Sequence, residues 1–128
     1  MKNEHQIFLI SDSTGETIDR IFAALKAQFS NFEYELNHFS FTRTENQIQK
    51  ILENAKKKDN PIILYTIVNS KLAKYLAEES QKKQIPCFGV LGDLILKFSK
   101  ILNQRASHEP SGQHVLDEDY YQRIEAIQ

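Results

Sequence analysis

Ser11, Asp12, Ser13, Thr14 and Gly15 sit inside the run "FLISDSTGET", Phe8 to Thr17. Three hydroxyls, a carboxylate and a glycine fill five positions between an apolar run and a segment of helical period. That pattern suits a turn that holds an anion. A helix N-terminus turns unpaired backbone N–H groups and the positive end of its dipole toward the preceding loop, and the hydroxyls of Ser11, Ser13 and Thr14 add donors. A plainer account uses the same residues. Ser13 and Glu16 form an S-x-x-E capping box, which makes the stretch a capped strand-to-helix turn with Gly15 easing the bend. Asp12 and Glu16 also bring negative charge, and no lysine or arginine adjoins them in sequence.

Thr42–Arg43–Thr44 places one cation just ahead of a second helical pattern, again where a strand ends. Arg43 could meet a phosphate held by the first turn, or be simply solvated. The remaining chemistry-bearing residues are dispersed. His108 and His114 stand near Asp117 and Asp119, but their spacing matches no zinc pattern and no cysteine accompanies them. Cys87 opens an apolar stretch, which suits a small core residue better than a nucleophile. No G-x-S-x-G frames Ser11 or Ser13. The glycines, Gly15, Gly89, Gly92 and Gly112, cannot spell the G-x-x-x-x-G-K-[ST] phosphate loop.

To bring these residues together the chain needs an ordered scaffold, and its apolar patterning predicts one. Ile7–Ile10 reads as a buried strand, followed by helical spacing at Ile18, Ile21, Phe22, Leu25 and Phe29. Tyr34–Phe41 reads as a second strand. Thr44 and Gln47 form a T-x-x-Q box before Ile48, Ile51, Leu52 and Ala55. Pro61 opens a third strand, Ile62–Val68. Ser70 is the expected cap of a third helix through Leu72, Ala73, Leu76 and Ala77. A short strand, Cys87–Leu91, follows, and Asp93 is the expected cap of a helix Leu94–Leu102. Strands separated by helices imply parallel pairing through right-handed crossovers. The continuous apolar runs imply a sheet covered on both faces. The expected fold is a small doubly wound, flavodoxin- or Rossmann-like parallel sheet of four strands in the order 2-1-3-4, with the first strand central and ligands at the carboxyl ends of the strands.

Composition narrows the rest. Hydrophobic residues make up 41% and charged residues 26% of 128 residues, enough for one core. The formal net charge is −1, so no basic field favours nucleic acid or an anionic membrane. The single cysteine forbids an internal disulfide and suits a reducing, cytoplasmic setting. Residues 1–103 are expected to form the α/β domain. Residues 104–128, "QRASHEPSGQHVLDEDYYQRIEAIQ", form a polar tail leading into a helix whose pattern still runs at Gln128. A helix cut in mid-pattern suggests that the natural chain continues.

Three stretches together carry a family resemblance: "FLISDSTGET", "ILYTIVNSKL" at Ile63–Leu72, and "GQHVLDEDYYQRIEAI" at Gly112–Ile127. The chain resembles the N-terminal part of the pyruvate, phosphate dikinase regulatory proteins, to which the phosphoenolpyruvate synthase regulatory proteins are closely related. The resemblance implies a bifunctional serine/threonine kinase and phosphorylase. Such an enzyme phosphorylates an active-site threonine of the dikinase or synthase with ADP as donor. It also removes that phosphate with inorganic phosphate as acceptor, releasing pyrophosphate. The family's phosphate loop belongs to a second domain, downstream of the tail motif.

By the same resemblance, Ser11, Ser13, Thr14 and Gly15, joined by Arg43 across the crevice, are expected to handle phosphate. Asp12, His114 and Asp117 become catalytic candidates, with Asp12 as an orienter or a base. Asp119, Tyr120 and Arg123 are expected at the domain junction. The expected partners are the dikinase or synthase and the chain's own phosphate-loop domain, with a homodimer left open. No metal, and no cofactor held by these residues alone, is expected; ADP and inorganic phosphate are substrates of the whole enzyme. The 128-residue chain alone is then inactive. The competing reading is a non-catalytic flavodoxin-like module that binds an anion or a protein.

Overall fold

The computed structural model describes residues 4–107. They form β1 (His5–Ser11), α1 (Glu16–Lys26), β2 (Tyr34–Phe39), α2 (Glu45–Lys56), β3 (Pro61–Thr66), α3 (Ser70–Lys82), β4 (Cys87–Gly89) and α4 (Gly92–Leu102). All the strand pairs are parallel, in the order β2-β1-β3-β4. The expected α/β fold, its strand order and the central place of the first strand are all observed.

Alternation along the strands divides the core into two layers. Phe8, Ile10 and Ile63 face one side, where Ile48, Ile51, Leu52 and Ala55 of α2 and Leu72 and Leu76 of α3 cover them. Ile7, Leu9 and Leu64 face the other side and meet Ile18 and Phe22 of α1. Side chains of opposite parity thus bury against different helices, which is why Ile7–Ile10 of β1 and Ile62–Leu64 of β3 are continuous apolar runs.

Several local expectations need correction. Strands two, three and four end earlier than the apolar runs suggested, at Phe39, Thr66 and Gly89. The third helix is capped by Asn69, whose Oδ1 accepts the Leu72 N–H at 2.9 Å, and Ser70 is its first residue. No side chain caps α4. Asp93 lies inside its first turn and pairs with Lys97 at 3.0 Å. The Thr44–Gln47 capping box is present in both directions. The helical spacing read through Phe29 stops earlier, at Lys26, and Leu25 and Phe29 are 41% and 58% exposed. With Phe22, Phe32, Leu64 and Phe88 they line an open apolar hollow of about 340 Å³. Helix α4 buries none of its residues among the described ones, and Leu94, Leu96, Phe98, Ile101 and Leu102 all stand exposed. A helical period tells that one face is apolar; it does not tell what covers that face.

Among the described residues, no helix is long and apolar enough to cross a membrane, and no group of His, Cys, Asp and Glu is arranged to hold a metal ion. Burial pushes the Cys87 thiol up to about 11, which keeps it protonated at neutral pH, as a small packing residue would be.

Candidate functional site

The carboxyl ends of β1, β2 and β3 converge on the segment Ser11–Gly15. Gly15 sets its path. The residue lies at φ +95°, in the left-handed region that side chains disfavour, and is itself the N-cap of α1. The helix therefore starts two residues later than an S-x-x-E box requires. Ser13 does not cap it. Instead the Ser13 N–H donates to Ser11 Oγ at 3.0 Å, and the two hydroxyl oxygens lie 3.3 Å apart.

Every backbone carbonyl from Ser11 to Gly15 has a hydrogen-bond partner. Ser11 O accepts the Thr42 N–H, and Ser13 O accepts the Phe41 N–H, both at 2.9 Å. Asp12 O accepts from Arg43 Nε at 2.8 Å, and Thr14 O accepts from Ser40 Oγ at 2.9 Å. Gly15 O takes the Asp19 N–H at 3.0 Å, inside the helix. Four successive carbonyls are thus drawn toward the loop between β2 and α2. In a trans peptide the C=O and the following N–H point in opposite directions. The N–H groups of Thr14 and Gly15 are therefore turned away from Ser40 and Phe41, beside the first-turn N–H groups of α1, which have no intrahelical acceptor. Consecutive N–H groups on one side of a turn make a concavity for an anion.

Asp12 is almost fully buried, 3% exposed, and Oδ2 accepts the Val68 N–H at 2.8 Å. Asp12 N donates to Thr66 O at 3.3 Å, so this residue joins the ends of β1 and β3. Burial pushes its carboxyl above the usual range. The Val68 N–H, its own backbone N–H and the Arg43 charge oppose that shift without cancelling it. The negative charge that counted against an anion site in the sequence is thus turned inward. Ser11 is buried, Ser13 half-buried and Thr14 exposed, so the hydroxyls grade from core to rim.

The structure brings together Ser11–Gly15, Arg43 and the end of β3, as the topology required. His114, Asp117, Asp119, Tyr120 and Arg123, with the helical tail and His108, lie outside the described residues. Three neighbours were missed by sequence reasoning. Ser40 ties down Thr14. Phe41 takes a left-handed conformation, φ +53°. His38 Nε2 lies 2.8 Å from Asp19 Oδ1, pairing the end of β2 with the first turn of α1. His38 carried a signal in the strand pattern, since it falls near a strand's carboxyl end; the conformation of Phe41 carried none.

Fold and site together define a doubly wound α/β domain with the Ser11–Gly15 turn and Arg43 at the carboxyl ends of its central strands, by the switch point. Residues 7–128 match the family model described as kinase/pyrophosphorylase, and the chain belongs to that family. It is 65% identical over 128 residues to a Pelagibacter ubique (strain HTCC1062) protein provisionally named a pyruvate, phosphate dikinase regulatory protein, covering 100% of this chain and 47% of that one. A similarly named protein of Alkaliphilus oremlandii (strain OhILAs) is 37% identical over 122 residues, 95% of this chain and 44% of its own. The chain spans about half the length of the curated relatives it matches. The resemblance carried by the three motifs is borne out.

Proposed function

We propose that these residues form the N-terminal domain of a cytoplasmic, bifunctional serine/threonine kinase and phosphorylase acting on pyruvate, phosphate dikinase or phosphoenolpyruvate synthase, with a phosphate-loop domain supplied by a downstream segment. In one direction a threonine oxygen of the target attacks the β-phosphorus of ADP, the bond to AMP breaks, and the hydroxyl proton departs. In the other an oxygen of inorganic phosphate attacks the phosphothreonine phosphorus, giving pyrophosphate and the free hydroxyl. Ser11–Gly15 holds the inorganic phosphate or the phosphothreonine opposite the nucleotide, and Arg43 neutralises part of its charge. Asp12 serves as the strut that sets the loop. The observation that carries this reading is the turn of the Ser11–Thr14 carbonyls toward one side, which leaves the backbone donors of Thr14 and Gly15 on the other.

The test is on the full-length enzyme. Thr14→Val removes the rim hydroxyl. Gly15→Ala places a side chain at a left-handed position, at a cost of about 1–2 kcal/mol, although space exists, since the nearest atom is Ser40 Oγ at 3.5 Å. Each variant is expected to fold. The phosphate-dependent reaction should fall about tenfold, roughly the loss of one charge-assisted hydrogen bond, and more than the ADP-dependent one. Wild-type rates in both folded variants would leave the loop as a turn and nothing more.

A second measurement checks the division of labour. In phosphate-loop enzymes the loop, its lysine and a metal hold the nucleotide phosphates, and this sequence contains no such loop. Calorimetry of the 128-residue chain with ADP and magnesium is therefore expected to show no binding in the micromolar range. A micromolar isotherm would put the nucleotide site in this half.

A further inference from the structure

Phe41 is an expensive residue in its place. Its φ of +53° is one that a bulky side chain disfavours, and the residue is 53% exposed, so only partial burial offsets the strain. The backbone is nevertheless clamped on both sides. Its N–H donates to Ser13 O at 2.9 Å, and its carbonyl accepts from Gln47 Nε2 at 3.2 Å. Glycine or asparagine would meet the same backbone demand more cheaply. The ring must therefore do something that they cannot.

What the ring touches is Arg43. The guanidinium carbon lies 5.5 Å from the ring centroid, within cation–π range. Arg43 is held twice more. Its Nε donates to Asp12 O at 2.8 Å, and its backbone N–H donates to Gln47 Oε1 at 2.7 Å, which fixes the main chain from which the side chain extends. One edge and one face of the guanidinium are thus occupied. The two terminal nitrogens, the end that binds phosphate oxygens in a fork, are the part that these contacts leave to a ligand. A long side chain at an exposed position normally samples many rotamers, and ordering it on binding weakens affinity. Here the ordering is built in before any ligand arrives.

We propose that Phe41 is a positioning residue: its strained backbone and exposed ring pre-orient Arg43 toward a phosphoryl group held by Ser11–Gly15. The inference rests on the phosphate-handling role of that loop, and its test separates the two. In the full-length enzyme, the apparent KM for inorganic phosphate is measured for Arg43→Ala, Phe41→Leu, Phe41→Tyr and Phe41→Gly, with a thermal melt of each. Arg43→Ala should raise the KM most. Phe41→Leu, which keeps apolar bulk but loses the ring, should raise it about two- to fivefold, the worth of an exposed cation–π contact, and more than it lowers kcat. Phe41→Tyr should restore the wild-type value. Phe41→Gly should raise the KM as Phe41→Leu does, yet melt no lower than wild type, because it relieves the left-handed strain.

An unchanged KM in Arg43→Ala overturns the phosphate reading and this inference with it. A raised KM in Arg43→Ala with wild-type values in Phe41→Leu overturns the inference alone. Equal losses in Phe41→Leu and Phe41→Tyr, or a lower melting temperature in Phe41→Gly, would make Phe41 a packing residue and also overturn it.

Discussion

Ile63→Asp leaves the domain unfolded at neutral pH. Ile63 is completely buried, in the middle of β3, with Phe8 beside it on β1 and Cys87 beside it on β4. It belongs to the larger core layer, under α2 and α3, and among the described residues no buried lysine, arginine or histidine could pair with a new carboxylate. An unpaired buried charge costs several kcal/mol even after the group shifts its pKa, against a total stability of about 5–15 kcal/mol for a domain of this kind. Ile63→Val is the control, and its cost is expected to be about 1 kcal/mol. Circular dichroism on heating distinguishes them: Ile63→Val melts cooperatively a few degrees early, and Ile63→Asp shows no transition. A cooperative Ile63→Asp melt close to wild type would mean that β3 is not the core strand.

Asp12→Ala comes next in size. The carboxylate joins the ends of β1 and β3 through the Val68 N–H, and its loss is expected to cost about 1–3 kcal/mol, the usual penalty for stranding a buried partner. Asp12→Asn keeps an acceptor for that N–H and removes the charge, so it should be the milder change. In the full-length enzyme, a loop displaced by about 1 Å can cost about a hundredfold in rate, and Asp12→Ala should lose about that much in both reactions.

The pH dependence has a definite sign. Burial raises the folded pKa of Asp12 above its ordinary 3.8. Below that ordinary value the carboxyl is protonated in both states and adds no difference. As pH rises from there through the folded pKa, the unfolded chain gives up its proton first, and this residue's contribution shifts against folding. Asp12→Asn escapes that loss, so its stability relative to wild type should improve across the same interval and stay level above it. Urea titrations at several pH values measure this. Equal stability of Asp12→Ala and Asp12→Asn would remove Asp12 from its role as a strut.

The scaffold was legible in the sequence because it rests on side-chain pattern. Ile7–Ile10 and Ile63–Leu64 are apolar on both parities, and only a strand covered on two faces needs that. The Thr44–Gln47 box was legible because both halves of it are side chains. The crevice was legible only in outline. Topology placed Arg43 beside Ser11–Gly15, but the left-handed turns at Gly15 and Phe41 depend on backbone contacts between loops that lie more than twenty residues apart. Ser13 shows the limit: its spacing to Glu16 fits a capping box, and one glycine conformation moved the cap to position 15. The exposure of Leu25, Phe29 and the apolar side chains of α4 was not legible for another reason, since a periodic pattern records an apolar face and not its neighbour.

The carbonyl ties of the crevice also bear on how such a domain can drift in sequence. Two of the four, Thr42 N to Ser11 O and Phe41 N to Ser13 O, run from main chain to main chain. They would survive almost any replacement at positions 11, 13 and 42. The other two need Ser40 and Arg43 themselves. A distant homologue could therefore lose most of the hydroxyls in its first loop and still fold that loop the same way. Its signature would then lie in the second loop: a short hydroxyl residue and an arginine three positions on, with a glycine about twenty-five residues before them.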